Sequence, residues 1–149
     1  MHGRSRSVRY LALVVLLTSG LVACGSDYQG LTKAQFLEKA NVNCAHPSKE
    51  AEAVRREVKS ASTPELKAKV YLRKVLPRFD RQLDQLARLK PPKADRDRVN
   101  LIIELARRDA RAFTALLKSQ PLVALALTTR PFAKSGAAAT AYGLKFCVD

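Results

Sequence analysis

The sequence predicts an all-α protein: a four-helix antiparallel bundle with proline-kinked helices, preceded by an export signal. Three observations carry this. Beyond residue 32, apolar residues recur in steps of three and four along most of the chain. Helix-start and helix-stop residues bracket those stretches. Aromatic residues make up only 6% of the chain and there is no Trp, so the core must be mostly Leu, Val, Ile and Ala, a composition that favours helices over a β-sandwich.

The first 24 residues follow the grammar of an export signal. Arg4, Arg6 and Arg9 form a positive segment, Leu11 to Leu17 an uninterrupted apolar run, and Thr18-Ser19-Gly20 a looser stretch after it. As a permanent span the segment is short, because Tyr10 to Ala23 supplies 14 residues where a transmembrane helix needs about 20. Leu21-Val22-Ala23-Cys24 then resembles the lipobox of bacterial lipoproteins. The resemblance implies cleavage before Cys24, lipidation of its thiol, and retention at the cell membrane on the extracellular or periplasmic side. The competing reading is an ordinary signal peptide with an incidental cysteine. The domain plan is a cleaved signal over 1–23, a Gly- and Ser-containing lipidated tether over 24–31, and a helical domain over 32–149.

Thr32 and Gln35 form a capping-box pattern that opens the first helix. Apolar or small residues follow at 37, 40, 44, 47, 51, 54, 58 and 61. Pro47 interrupts this seam chemically but not in phase, so one helix kinked at Pro47 is expected, with Cys44 facing the core. Thr63-Pro64-Glu65 starts the second helix with a cap, a first-turn proline and an acid. Leu72, Leu76, Phe79, Leu83 and Leu86 form its seam. Pro77 is a second expected kink, the helix running over 64–75 and then 77–89 with Leu76 pushed away from helical backbone, and Lys90-Pro91-Pro92 ends the element.

The third helix is expected from Lys93 or Asp95 to Ser119. Val99, Ile103, Ala106, Ala110, Phe113 and Leu117 form its seam, with Ile102 and Leu116 alongside. Pro121 begins a short apolar helical run over 122–127. A last helix covers Ser135 to Tyr142, with Gly143 placed as its C-terminal cap.

Removing residues 1–23 leaves 126 of 149 residues, enough for one core. It also removes Arg4, Arg6 and Arg9, taking the net charge from +14 to +11. So basic a domain should associate with something anionic. Of the three cysteines, Cys24 is consumed by lipidation. That leaves Cys44 and Cys147 as an even pair in an oxidising compartment, where a disulfide is the expectation and two buried thiols the alternative.

The order Phe36, Ala40-Asn41 and Cys44, then Leu83, Leu86 and Leu89-Lys90-Pro91-Pro92, then Tyr142-Gly143-Leu144 and Cys147 resembles a group of small helical exported proteins and lipoproteins of actinobacteria. The resemblance spans most of residues 32–147. It implies a helical fold with two matching cysteines and carries no activity with it.

Catalytic chemistry finds little support. His46 is the one histidine after the signal, and no Met follows Met1, so no metal site or cofactor is expected. No Gly-x-Ser-x-Gly elbow is present. The carboxylate pairs Asp80/Asp84 and Asp95/Asp97 sit among Arg and Lys, as salt-bridged surface does. The basic residues are the positive signal. Glu52/Arg56, Glu65/Lys69, Asp84/Arg88 and Glu104/Arg108 are matched at helical spacing. The surplus lies in Lys67, Arg73, Lys74, Arg78, Arg81, Arg107, Arg111 and Lys118.

Near a membrane this surplus suits anionic lipid or wall polymer. Nucleic acid is not expected, given the compartment and the scarcity of interleaved aromatics. The leading expectation is a lipid-anchored, non-enzymatic interaction module at the cell envelope. The alternative is a small-ligand carrier with an apolar cleft between helices kinked near Pro47 and Pro77.

Overall fold

The computed structural model describes residues 29–45, 48–127 and 131–146, the side chains of 43–45 excepted. The expected export signal and lipidation site Cys24, the expected Cys44–Cys147 bond, His46 and Pro47 therefore lie outside the described residues. Those described are helical, without a strand. The helices are α1 (Lys33–Ala45), α2 (Lys49–Ser60), α3 (Pro64–Val70), α4 (Leu76–Arg88), α5 (Arg96–Ser119), α6 (Pro121–Ala126) and α7 (Ala133–Tyr142). A π-helical turn over Tyr71–Val75 joins α3 to α4 in one rod, so among the described residues six separate helices stand where four were expected.

Two proline expectations are corrected. The single kinked first helix is two helices: α1 stops at Ala45, and α2 starts afresh behind Ser48, whose hydroxyl accepts from the Ala51 N–H at 3.2 Å. A serine immediately beyond the proline provides a new cap, which an unbroken helix would not use. At Pro77 the reverse holds. Pro77 lacks an N–H and its ring crowds the carbonyl four residues back. The turn before it widens, and the Leu76 N–H reaches the Tyr71 carbonyl five residues back. Leu76 keeps helical backbone at φ −63°, ψ −44°, because the wider turn relieves the crowding that would have expelled it.

The local start and stop signals stand as expected. Thr32 and Gln35 exchange the two capping-box bonds, at 3.0 and 3.3 Å. Thr63 accepts from the Leu66 N–H at 3.2 Å. Gly143 takes φ +99°, and the Leu144 N–H reaches back to the Ala139 carbonyl at 2.9 Å. That bond satisfies a carbonyl the end of α7 would otherwise leave bare.

The core forms around α5, which buries Val99, Ile102, Ile103, Ala106, Ala110, Phe113 and Leu117. Each large apolar side chain there contributes on the order of 2 kcal/mol of burial. Leu76, Phe79, Leu83 and Leu86 meet it from α4, and Ala139, Tyr142 and Leu144 from α7 and its exit. Phe36 is fully buried and is α1's main anchor. The expected seam of α1 began one residue later, at Leu37, which is only half-buried.

The few aromatics carry more than their number suggests. Tyr71, Phe113, Phe132, Phe79 and Phe146 form a chain of edge-on contacts with centroids 5.9, 5.7, 5.3 and 5.6 Å apart. It ties the rod, α5 and both flanks of α7 together. By contrast α2 has no buried residue. Its seam residues Ala51, Val54 and Val58 are half-buried against the rod.

Ring and ion contacts fix the directions. Tyr71 meets Phe113 while Asp84 meets Arg107, so α5 runs antiparallel to the rod. Asp95 meets Tyr142 while Asp109 meets Ser135, so α7 runs antiparallel to α5. One end of the domain therefore gathers the start of α1, the end of α4, the start of α5 and the end of α7.

Candidate functional site

The eight surplus basic residues do not form one free face. Lys74 pairs with Glu57 of α2. Arg78 and Arg81 both approach Glu50, at 3.6 and 3.7 Å, and Arg78 also donates to the Ser48 hydroxyl at 3.0 Å. Arg107 bonds Asp84 across the α4–α5 interface at 2.8 Å. Half of the set is thus already engaged.

Lys67, Arg73, Arg111 and Lys118 have no carboxylate partner among the described residues. Arg111 and Lys118, seven apart, share one face of α5. The ion pairs also differ from those expected along single helices: Asp84 selects Arg107 instead of Arg88, and Arg108 selects Asp109 instead of Glu104. Helical spacing identifies which charges can meet, but packing gives Asp84 a partner on the next helix, and Arg108 takes its own chain neighbour on α5.

Beside the π turn, an open groove of about 420 Å³ separates the end of α2 from the rod. Ala61, Leu66 and Val70 give it an apolar floor, and Lys69, Arg73 and Lys74 a basic edge. Neither Pro77 nor its immediate neighbours line it. A second groove, of about 250 Å³, lies between α1 and α4 and is lined by Val42, Leu86 and Leu89 among others.

The most tightly built polar cluster lies at the end where the chain enters, which sequence reasoning missed. The Leu31 N–H donates to the Lys90 carbonyl at 2.8 Å, fixing the first residues of the domain against the α4–α5 connection. Next to it the buried Tyr142 hydroxyl donates to Asp95 at 2.9 Å. The Tyr142 ring meets Phe36 edge-on at 6.1 Å. Lys33 lies 4.7 Å and Arg98 5.4 Å from its centroid, two cation–π contacts. Burial, reinforced by the Asp95 carboxylate, pushes the phenol up to about 12, so it remains a neutral donor.

Asn41, one turn before Cys44, clamps the exit of α7. Its amide donates to the Gly143 carbonyl at 2.9 Å and accepts from the Lys145 N–H at 2.8 Å. The other missed residue is Asp109, which is 8% exposed. It accepts from the Ser135 N–H at 3.3 Å and from Arg108 at 3.4 Å. In this way a carboxylate of α5 caps the start of α7, where Phe132 offers no capping side chain. No local pattern announces a cap delivered from 26 residues away.

Among the described residues no three His, Cys, Asp or Glu side chains gather as a metal site would require, and no helix is long and apolar enough to cross a membrane. Comparison with protein-family models, with curated proteins and with solved structures finds no match for the chain.

Proposed function

We propose that this is a lipid-anchored, non-enzymatic interaction module of the cell envelope, held at the outer face of the membrane by a diacylglyceryl-type thioether at Cys24. In this reading α1, the α3–α4 rod, α5 and α7 act as a four-helix bundle, with α2 and α6 as additions. The observation that carries it is Leu21-Val22-Ala23-Cys24 behind a basic segment and a seven-residue apolar run. The resemblance to small exported actinobacterial proteins supports it. So does the use of the buried polar groups: Asp109, Ser135 and the Tyr142–Asp95 pair hold helices to one another.

Cys44 and Cys147 form the domain's disulfide in this reading. The two bonds from Asn41 draw the chain just before Cys147 onto the turn just before Cys44. Such a crosslink closes a loop of about 100 residues and stabilises by up to about 4–5 kcal/mol on chain-entropy grounds. Alkylation of the denatured, unreduced protein should add no label at these two positions, and uptake at both would refute the pairing.

The anchor is tested with Cys24→Ala, which should lose lipid labelling and membrane retention while keeping its helical content. A variant that stays membrane-bound in high salt would refute it. A small-ligand carrier is the second reading, favoured by the apolar-floored, basic-edged groove beside the π turn. Native mass spectrometry of protein taken from its own membrane decides it: a co-purifying amphipathic anion supports a carrier, and its absence removes that reading.

A further inference from the structure

We propose that the end of the domain carrying Lys33, Arg88, Lys90, Lys93 and Arg98 seats on the anionic headgroups of the bilayer that holds the anchor. The inference rests on the lipid-anchored reading above and adds an orientation, a surface and a ligand class to it. Its starting point is where the chain enters the fold. The bond from the Leu31 N–H to the Lys90 carbonyl ties the residue just before the domain to the α4–α5 connection. Only seven residues, 24–30, separate that point from the lipid, a reach of at most about 25 Å when fully extended. The end containing Leu31 is therefore the one the tether holds nearest the membrane.

That end is basic, and its acids are few. Lys33, Arg88, Lys90, Lys93 and Arg98 are all exposed, and none has a carboxylate partner among the described residues. Asp95 is occupied by the Tyr142 hydroxyl, which leaves Asp97 as the nearby uncommitted acid. The Tyr142 ring holds Lys33 and Arg98 at the rim through its two cation–π contacts, so these charges are positioned before any surface is met. Phosphate headgroups packed side by side match such a collar of separate cations.

Distance removes the other basic residues from the same surface. The 24 residues of α5 span about 36 Å, which places Arg111 and Lys118 roughly 20–30 Å further out along the helix. Screening at physiological salt sets in within about 8 Å. Lys74, Arg78, Arg81 and Arg107 are engaged by Glu57, Glu50 and Asp84. The surplus identified from charge spacing is thus largely neutralised or remote.

The test uses the lipidated protein purified from its membrane and reconstituted into vesicles of phosphatidylcholine alone or with phosphatidylglycerol. Amine acylation is followed residue by residue by peptide mass spectrometry. Lys33, Lys90 and Lys93 should react at least about threefold more slowly in the anionic vesicles, an effect lost in high salt. Lys67, Lys69 and Lys118 should be unchanged. The double substitution Lys90→Gln, Lys93→Gln, at exposed positions, should weaken the protection of Lys33.

Equal reactivity in both vesicles overturns the proposal, as does protection centred on Lys67 and Lys118. Protection seen only when anionic wall polymer is added to neutral vesicles assigns the surface to polymer and overturns it too. The mass of the Cys24 peptide separates the two levels. Lipid present without protection refutes the seating alone, and an unlipidated peptide refutes the anchor and the seating together.

Discussion

Replacing Asp109 by Ala should destabilise the domain by about 2 kcal/mol. Asp109 is 8% exposed and Ser135 fully buried, so the Ser135 N–H has no water to replace the carboxylate that accepts from it. Loss of a helix cap costs about 1 kcal/mol, and leaving a buried N–H unpaired costs about 1–3 kcal/mol. The bonds to Asp109 are long, at 3.3 and 3.4 Å, which places the sum toward the lower part of that range. Arg108 is half-exposed, so its ion pair adds only tenths of a kcal/mol.

Asp109→Asn keeps an acceptor and loses only the charge facing the start of α7, a loss of about 0.5–1 kcal/mol. Urea denaturation followed by circular dichroism measures both. With a slope of about 2 kcal/mol per M, Asp109→Ala should lower the midpoint by about 1 M, and Asp109→Asn by less than half of that. A midpoint for Asp109→Ala within about 0.2 M of the parent would refute the capping argument. So would an Asn variant less stable than the Ala variant.

Three further outcomes are expected. Tyr142 has its phenol raised in the folded state from 10.0 to about 12. Its contribution is therefore fully present below pH 10 and disappears as pH rises through about 12. A spectrophotometric phenolate titration alongside denaturant midpoints should show this fall. Tyr142→Phe should reduce it, leaving a residue from Tyr71, which burial also raises; an unchanged slope would clear Tyr142 of the role. Gly143→Ala should cost about 1–2 kcal/mol, because φ is +99° and the new methyl would stand 3.1 Å from a Leu37 methyl; an unaltered melting temperature would contradict the strain. Asn41→Ala should cost about 1–2 kcal/mol for its two bonds and speed amide exchange at Lys145. Exchange at the parental rate would show that the clamp does not hold in solution.

The weak attachment of α2 has a physical origin that charge counting alone obscures. With no buried residue, it is held mainly by half-buried Ala51, Val54 and Val58 and by Glu50 and Glu57 bonding to the rod. Exposed ion pairs of this kind contribute about 0–1 kcal/mol each. Amide exchange should therefore open α2 before α4 or α5.

What the chain's own order determined are features decided within four or five residues: the Thr32/Gln35 box, the Thr63-Pro64 start, the left-handed stop at Gly143 and the buried face of α5. A cap or a helical seam depends on neighbours one turn away, so its chemistry can be read directly. The tertiary structure decided everything that needs a partner from another helix. It placed Asp109 over the start of α7, sent Asp84 to Arg107 and Glu50 to Arg78 and Arg81, and buried Phe36 against Tyr142. It set a π turn before Pro77 that keeps Leu76 helical where a kink had been expected to displace it, because the wider turn relieves the crowding from the proline ring. It also brought Leu31 to Lys90, and with that contact selected which basic residues lie beside the point where the chain enters the domain.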